Sequence, residues 1–93
     1  MADYELLLIL KKEAVSDPKK AEAEIVALLE KTKAKVGKVD VWGVRKLAYP
    51  INKQTEGFYL IIDLKAKGED LKNIRRAVEL NKEVIRYLMT KKD

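Results

Sequence analysis

The feature that most constrains this fold is a short run of apolar residues near the start of the printed sequence. Leu6 to Leu10 contains no polar residue, and charged residues stand on either side of it at Asp3 and Lys11. A strand that is covered on both faces has this pattern, whereas a half-exposed strand alternates apolar and polar residues. The run therefore predicts a central strand of a sheet, with something covering each of its faces.

Two further segments have the 3.6-residue period of amphipathic helices. The first follows Ser16-Asp17-Pro18, which places an N-cap residue before a Pro at the first helical position. We expect Gly37 to end this helix, because glycine favours the conformation that terminates helices. The second helix is predicted to follow Gly68 and to stop at Asn81.

Three other segments have strand patterns, rich in β-branched and aromatic residues. Gly43 lies inside the first of them, where it predicts a bulge. Pro50, Asn52 and Gly57 are expected to bracket a polar connection, so that the first two of these strands form a hairpin. The charged end from Lys91 to Asp93 is expected to fray. The predicted strands are 38–48, 58–64 and 84–89.

The order of these elements is βαββαβ, and the rules of chain connection leave few ways to assemble it. The economical arrangement is an α+β, ferredoxin-like two-layer sandwich, in which a four-stranded antiparallel sheet carries both helices on one face. With 93 residues, the chain is predicted to form a single domain over 1–93. One sheet face then stays bare unless a partner covers it, and the run Leu6 to Leu10 favours a protein partner there.

Composition excludes several classes of function. The sequence has no Cys and no His, which removes disulfides, thiolate or imidazole metal sites and Ser-His or Cys-His nucleophile pairs. Asp40, Glu56 and Asp63 are isolated carboxylates, and no phosphate-binding Gly-rich loop is present. We expect no catalysis, cofactor, metal or small-molecule substrate. Without a membrane-spanning or signal segment, the protein is predicted to be cytoplasmic and not to bind a membrane.

The charge is distributed unevenly along the chain, whose formal net charge is +5. Residues 1–30 carry −3 and residues 31–93 carry +8. Segment 31–53 has seven basic residues against one acid, Asp40, and is the best candidate for a phosphate-facing surface. The other interpretation is a solvated helix end followed by an edge strand that lysines protect from aggregation.

Residues 56–63 resemble only in part the strand on which RRM domains stack RNA bases. Gly57 and Phe58 fit that pattern, but Leu60 and Asp63 occupy positions that should be aromatic. Because base stacking needs those rings, we interpret Phe58 and Leu60 as packing residues.

One continuous segment is similar to a known family signature. Gly43 to Ile51 reads Gly-Val-Arg-Lys-Leu-Ala-Tyr-Pro-Ile. It resembles the signature of bacterial small-subunit ribosomal protein six, which is Gly, any residue, a basic residue, a charged or polar residue, Leu, Ala or Ser, Tyr, any residue, Ile. The similarity continues at Tyr4-Glu5, through Gly57 and Tyr59, and from Leu80 to Tyr87, so it spans essentially the whole chain.

This resemblance implies a ferredoxin-like fold and an architectural, non-catalytic role in the small ribosomal subunit. It implies binding to the central domain of small-subunit ribosomal RNA together with ribosomal protein eighteen, as a heterodimer that assembles on the platform. By position, Arg45, Lys46 and Arg86 are the residues expected to contact the RNA, and Lys53 joins them on charge alone.

The protein interface has weaker candidates. Trp42 and Tyr59 are expected there because aromatic anchors are enriched at interfaces, and core packing is the other interpretation of both. A different function also stays open, in which a ferredoxin-like interaction or regulatory domain associates with itself through the bare sheet and binds no RNA.

Overall fold

Four strands form one antiparallel sheet in the computed structural model, which describes residues 1–51 and 53–92. The strand order is β2-β3-β1-β4, so β1 and β3 are central and β2 and β4 are the edges. This order confirms both the ferredoxin-like topology and the central position of the apolar run. The strands are β1 (Ala2–Lys11), β2 (Lys35–Ile51), β3 (Gln54–Ala66) and β4 (Val84–Lys91).

Two helices, α1 (Pro18–Glu30) and α2 (Leu71–Leu80), pack against one face of this sheet. On β1, Leu6, Leu8 and Leu10 are buried in the core that the helices and the sheet enclose. Phe58 and Leu60 of β3 are buried there too, which confirms their interpretation as packing residues. The helices contribute Ile25, Leu29, Ile74 and Val78 to the same core. None of the described helices is long and apolar enough to cross a bilayer.

Helix α1 begins as the sequence predicts and ends earlier. The Asp17 carboxylate accepts a hydrogen bond from the Lys19 backbone N–H at 3.1 Å and so caps the helix. The prediction that Gly37 ends the helix is wrong, because Gly37 lies inside β2. The chain instead turns at Lys33, whose φ of +71° is in the left-handed region and whose backbone N–H donates to the Glu30 carbonyl. This turn lets the buried Ala34 join the core directly before β2 starts.

The β2–β3 hairpin is longer than predicted. The sequence predicts that Pro50 and Gly57 bracket the connection, but Pro50 lies inside β2 and Gly57 inside β3. A proline fits in β2 because β2 is an edge strand and need not donate a hydrogen bond at every residue. Lys53 forms part of the tight turn with a φ of +66°. The predicted turn residue Asn52 and the terminal Asp93 lie outside the described residues.

The predicted bulge in β2 is confirmed at Gly43. The pairing of β2 with β3 shifts between Val41 and Gly43, and Gly43 has a φ of +82°. Glycine reaches this left-handed conformation without the steric cost that a β-carbon would add. At the end of α2, Asn81 is the residue that follows the last helical turn, as predicted.

Candidate functional site

The sheet has a face that neither helix covers, and we call it the open face. Because neighbouring residues of a strand point to opposite faces, Leu7 and Ile9 of β1 lie on it. Directly opposed cross-strand residues share a face, so Tyr59 and Arg86 lie beside Ile9, and Leu88 beside Leu7. Leu88 is 60% exposed, whereas Ile9 is only 6% exposed although no helix covers it.

Trp42 and Tyr59 form an aromatic pair on the open face. Their ring centroids are 6.4 Å apart and their planes differ by 13°, which is a stacked arrangement. The Arg45 guanidinium carbon lies 5.9 Å from the centroid of the Trp42 ring, within range of a cation–π contact. The indole N–H of Trp42 donates to Asp40 Oδ2 at 3.2 Å, which further restrains the ring. The bulge at Gly43 changes the register of β2 next to Trp42 and pairs Gly43 with Tyr59.

A hydrogen bond connects the end of β2 to β4 across the open face. Arg86 Nη1 donates to the Tyr49 hydroxyl oxygen at 2.9 Å. Between Tyr49 and Tyr59 lies a groove of about 360 Å³, also lined by Leu7, Ile9 and Leu88. The groove is apolar at its floor and carries an arginine at its rim. We call these residues together the aromatic cluster: Leu7, Ile9, Trp42, Arg45, Tyr49, Tyr59, Arg86 and Leu88.

The four residues predicted to contact RNA do not all share a face. Arg45 lies opposite Gly57 and faces the open side, where Arg86 also lies. Lys46 lies opposite Glu56 and therefore points to the helix side, as the alternation of adjacent residues predicts. Lys53 is exposed at the hairpin turn. The structure thus brings Arg45 and Arg86 to one end of the open face and leaves Lys46 and Lys53 outside the aromatic cluster.

Glu56, the residue opposite Lys46, is paired with another lysine. Its Oε1 atom lies 3.0 Å from Lys12 Nζ. This hydrogen bond, with the attraction between the two charges, raises the pKa of Lys12 above its usual 10.5. The pair joins the end of β1 to the start of β3 on the side of the sheet away from the open face. Its carboxylate therefore does not reduce the positive charge that Arg45 and Arg86 present.

The basic segment 31–53 is divided between the two ends of the sheet. Arg45, Lys46 and Lys53 lie toward the hairpin turn, at the end of the aromatic cluster. The other four lie at or before the start of β2, at the opposite end: Lys31, Lys33, Lys35 and Lys38. A segment that is continuous in sequence therefore supplies two separate basic surfaces.

The sequence interpretation gave Tyr49 no place in the site. Its only signal was its position within the signature from Gly43 to Ile51. Tyr49 and Arg86 are 37 residues apart, and their contact depends on the sheet order and on how β2 crosses toward β4. Within residues 1–51 and 53–92, no group of three or more Asp or Glu side chains is arranged to hold a metal ion.

Comparison with known proteins gives one consistent result. A sequence model of the family described as Ribosomal protein S6 matches residues 3–91. The small ribosomal subunit protein bS6 of Corynebacterium efficiens is 40% identical over 100 aligned positions, covering 100% of this chain and 99% of that protein. The bS6 protein of Clostridioides difficile is 37% identical over 89 positions, covering 96% and 97%. The crystal structure of 30S ribosomal protein S6 from Thermotoga maritima matches with a TM-score of 0.78 at 28% identity, covering 98% of this chain and 87% of that one.

Proposed function

Because the chain belongs to the ribosomal protein S6 family, whose members are structural constituents of the small ribosomal subunit, we propose that it binds the central domain of small-subunit ribosomal RNA. In this proposal it binds as a heterodimer with ribosomal protein eighteen, during assembly of the subunit platform in the cytoplasm. The observation that carries the proposal is the aromatic cluster on an uncovered sheet face, in which Arg86 lines an apolar groove and Arg45 lies over the ring of Trp42.

The protein partner would be bound by the apolar part of this cluster. Trp42 is 46% exposed and Tyr49 59% exposed, so both present large ring surfaces to solvent. Aromatic residues that bury such surfaces dominate the binding energy of many interfaces. The groove between Tyr49 and Tyr59 would accept an apolar side chain of ribosomal protein eighteen. Covering the open face in this way would complete the burial of β1 that the run Leu6 to Leu10 predicts.

The RNA would be bound by the basic side chains at the edge of the same cluster. Arg45 and Arg86 are fixed by contacts with Trp42 and Tyr49, so their guanidinium groups lose little freedom when they meet a phosphate. Phosphate contacts supply affinity and fix orientation, while the RNA shape and the protein partner supply selectivity. Lys46 and Lys53 would reach phosphates from the helix side and from the hairpin turn.

The test is binding to a central-domain RNA fragment, with and without ribosomal protein eighteen, across a salt series. Tight binding that requires the partner and weakens steeply with salt is the expected result. Arg45→Ala and Arg86→Ala should each weaken binding about tenfold and lower the salt slope by roughly 0.7 to 0.9 per lost phosphate contact.

Arg75→Ala is the matched control, because Arg75 is an exposed arginine on α2, away from the open face. It should leave the RNA affinity within about twofold of the wild type, since no phosphate contact is lost. Circular dichroism should show that all three variants stay folded. A folded wild-type chain that binds no RNA under either condition would contradict the proposal and favour the self-associating domain instead.

A further inference from the structure

A second basic site lies at the other end of the open face, away from the aromatic cluster. Four exposed lysines line a cavity of about 490 Å³ there, together with Asp3 and Asp63. They come from the start of β2, the end of β3 and the residue after β4, so the fold assembles them from distant parts of the sequence. We call Lys35, Lys38, Lys65 and Lys92 the lysine cluster.

The carboxylates beside this cluster balance only part of its charge. Lys92 Nζ lies 3.1 Å from Asp63 Oδ1, and Lys65 Nζ lies 4.0 Å from Asp3 Oδ1. Among the described residues, neither Lys35 nor Lys38 has a carboxylate within 4.0 Å. Four lysines and two aspartates line the cavity, so its lining carries a net charge of +2.

The register of β2 and β3 places positive charge here at a cost in stability. Lys35 lies directly opposite Lys65 on the neighbouring strand, and like charges in this position destabilise a sheet. This pairing does not improve the packing of the core, since both lysines are exposed. An anionic ligand would offset the repulsion between Lys35 and Lys65.

We propose that the lysine cluster binds the phosphate backbone of an RNA segment different from the one that Arg45 and Arg86 contact. The proposal rests on the proposed function, since it takes the ribosomal RNA as ligand. Lys65 and Gly57, the residue opposite Arg45, are eight residues apart on β3, which is roughly 26 Å at about 3.3 Å per residue. Two basic sites at this separation would hold two RNA segments and let the protein bridge them.

The chemistry of the lysine cluster favours a phosphate backbone over a protein surface. Lysine is a flexible point charge that binds phosphate without demanding a fixed geometry, whereas arginine forms a rigid fork. The side chains around the cavity include none of the exposed aromatic anchors that define the aromatic cluster. The cluster therefore fits a ligand that is recognised by charge and spacing.

The test replaces two lysines of the cluster by glutamine, which removes the charge and keeps a polar, somewhat shorter side chain. Lys35→Gln with Lys65→Gln should weaken binding of the heterodimer to the central-domain fragment about tenfold near 0.1 M salt. It should also lower the salt slope by about 1.5, since two phosphate contacts are lost. The melting temperature of this double variant should equal or exceed that of the wild type, because the repulsion between the two lysines is removed.

The matched control is Lys19→Gln with Lys20→Gln, which removes the same charge from an exposed position at the start of α1. It should change the affinity by less than about twofold, since it removes no phosphate contact. Acylation of lysines in the bound complex gives a second measurement, in which Lys35 and Lys65 should be protected and Lys19 and Lys20 should not.

The outcomes separate this proposal from the function on which it rests. If the wild type binds the fragment and the Lys35 and Lys65 variant behaves like the control, the second site is overturned and the proposed function stands. If the wild type does not bind the fragment, the proposed function fails. In that case, acylation of lysines in the presence of a generic RNA duplex at low salt tests whether the lysine cluster binds phosphate. Protection of Lys35 and Lys65 over Lys19 and Lys20 supports the phosphate site, and equal labelling overturns it.

Discussion

The two ends of the open face belong to the same sheet but carry different side chains. In the aromatic cluster, Trp42 stacks on Tyr59, and Arg86 donates to Tyr49, so the side chains fix one another. In the lysine cluster, Lys35 and Lys65 oppose each other, and Lys65 Nζ lies 4.0 Å from the exposed carboxylate of Asp3. One end therefore offers a defined shape, while the other offers a concentration of charge.

This difference shows how one sheet can separate two tasks. A preorganised apolar groove discriminates between partners by fit, and its contribution changes little with salt. A group of flexible lysines attracts any polyanion, accelerates encounter, and loses its effect when salt screens the charges. Mutations at the two ends should therefore have different signatures, and the following predictions are arranged from the largest expected effect to the smallest.

The largest effect should come from removing the exposed anchor of the aromatic cluster. Trp42→Ala should weaken the proposed heterodimer with ribosomal protein eighteen by about 2–4 kcal/mol, as expected when a central aromatic residue is lost from an interface. Isothermal titration calorimetry at two salt concentrations measures this loss, which should be independent of salt. Val44→Ala is the control, since Val44 is equally exposed but lies opposite Phe58 on the helix side. Equal losses of binding free energy in the two variants would show that the aromatic cluster does not recognise the partner by shape.

The next effect concerns the floor of the groove. A β-carbon at Gly57 would collide with the Ile9 side chain. Gly57→Ala should therefore lower the free energy of unfolding by about 1–3 kcal/mol, the usual cost of overpacking. Urea denaturation measures this change. Gly68→Ala is the control, because a β-carbon there meets nothing within 4 Å and the backbone is not left-handed, so it should be neutral or slightly stabilising. Unchanged stability of Gly57→Ala would mean that the groove is less rigid than the contacts of Ile9 imply.

A smaller effect is expected from the hydrogen bond that crosses the open face. Tyr49→Phe keeps the ring and removes the oxygen that accepts from Arg86. Stability should fall by about 0.5–1 kcal/mol, the net value of one partly exposed hydrogen bond. NMR relaxation of the Arg86 side chain should show greater mobility. If Arg86 stays as ordered as in the wild type, the arginine is positioned by other contacts, and the contrast with the lysine cluster does not depend on Tyr49.

The smallest expected effect is a loss of stability at alkaline pH, which involves Tyr87 behind the groove. Burial raises the pKa of Tyr87 above its usual 10.0, and the nearby Glu79 carboxylate raises it further. The pKa of Tyr87 is therefore higher in the folded chain than in the unfolded chain. The stabilisation that protonated Tyr87 gives the folded state is complete below pH 10.0 and is lost as the pH rises through the folded-state pKa. Wild-type chain should therefore lose more stability between pH 9 and 11 than Tyr87→Phe, as measured by chemical denaturation. Parallel profiles for the two proteins would contradict the assignment of this pH dependence to Tyr87.

The sequence predicts most of the fold because the fold follows from local patterns. The run Leu6 to Leu10 indicates a doubly covered central strand, and Gly43 marks a bulge that the register confirms. The end of α1 was misplaced, because Lys33 adopts a conformation for which glycine is the usual signal. Local patterns say which face a residue takes, but they do not say which strands are neighbours.

That limit explains what the sequence could not predict about the sites. Arg45 and Arg86 were singled out from the signature and the charge, and the structure places both on the open face. Their contacts with Trp42 and Tyr49, and the meeting of Lys35 with Lys65, depend on strand order and register. These contacts join residues that are far apart in the chain, so no local pattern contains them.

The position of β1 in the sheet also affects when the strands can pair during synthesis of the chain. β1 is synthesised before all the other strands, yet its two neighbours are β3 and β4, which follow both β2 and α1 in the chain. Until β3 leaves the ribosome, the apolar run Leu6 to Leu10 has no strand to pair with. A nascent chain therefore carries its most aggregation-prone segment unprotected through most of translation, and the sheet is complete only after β4 has emerged.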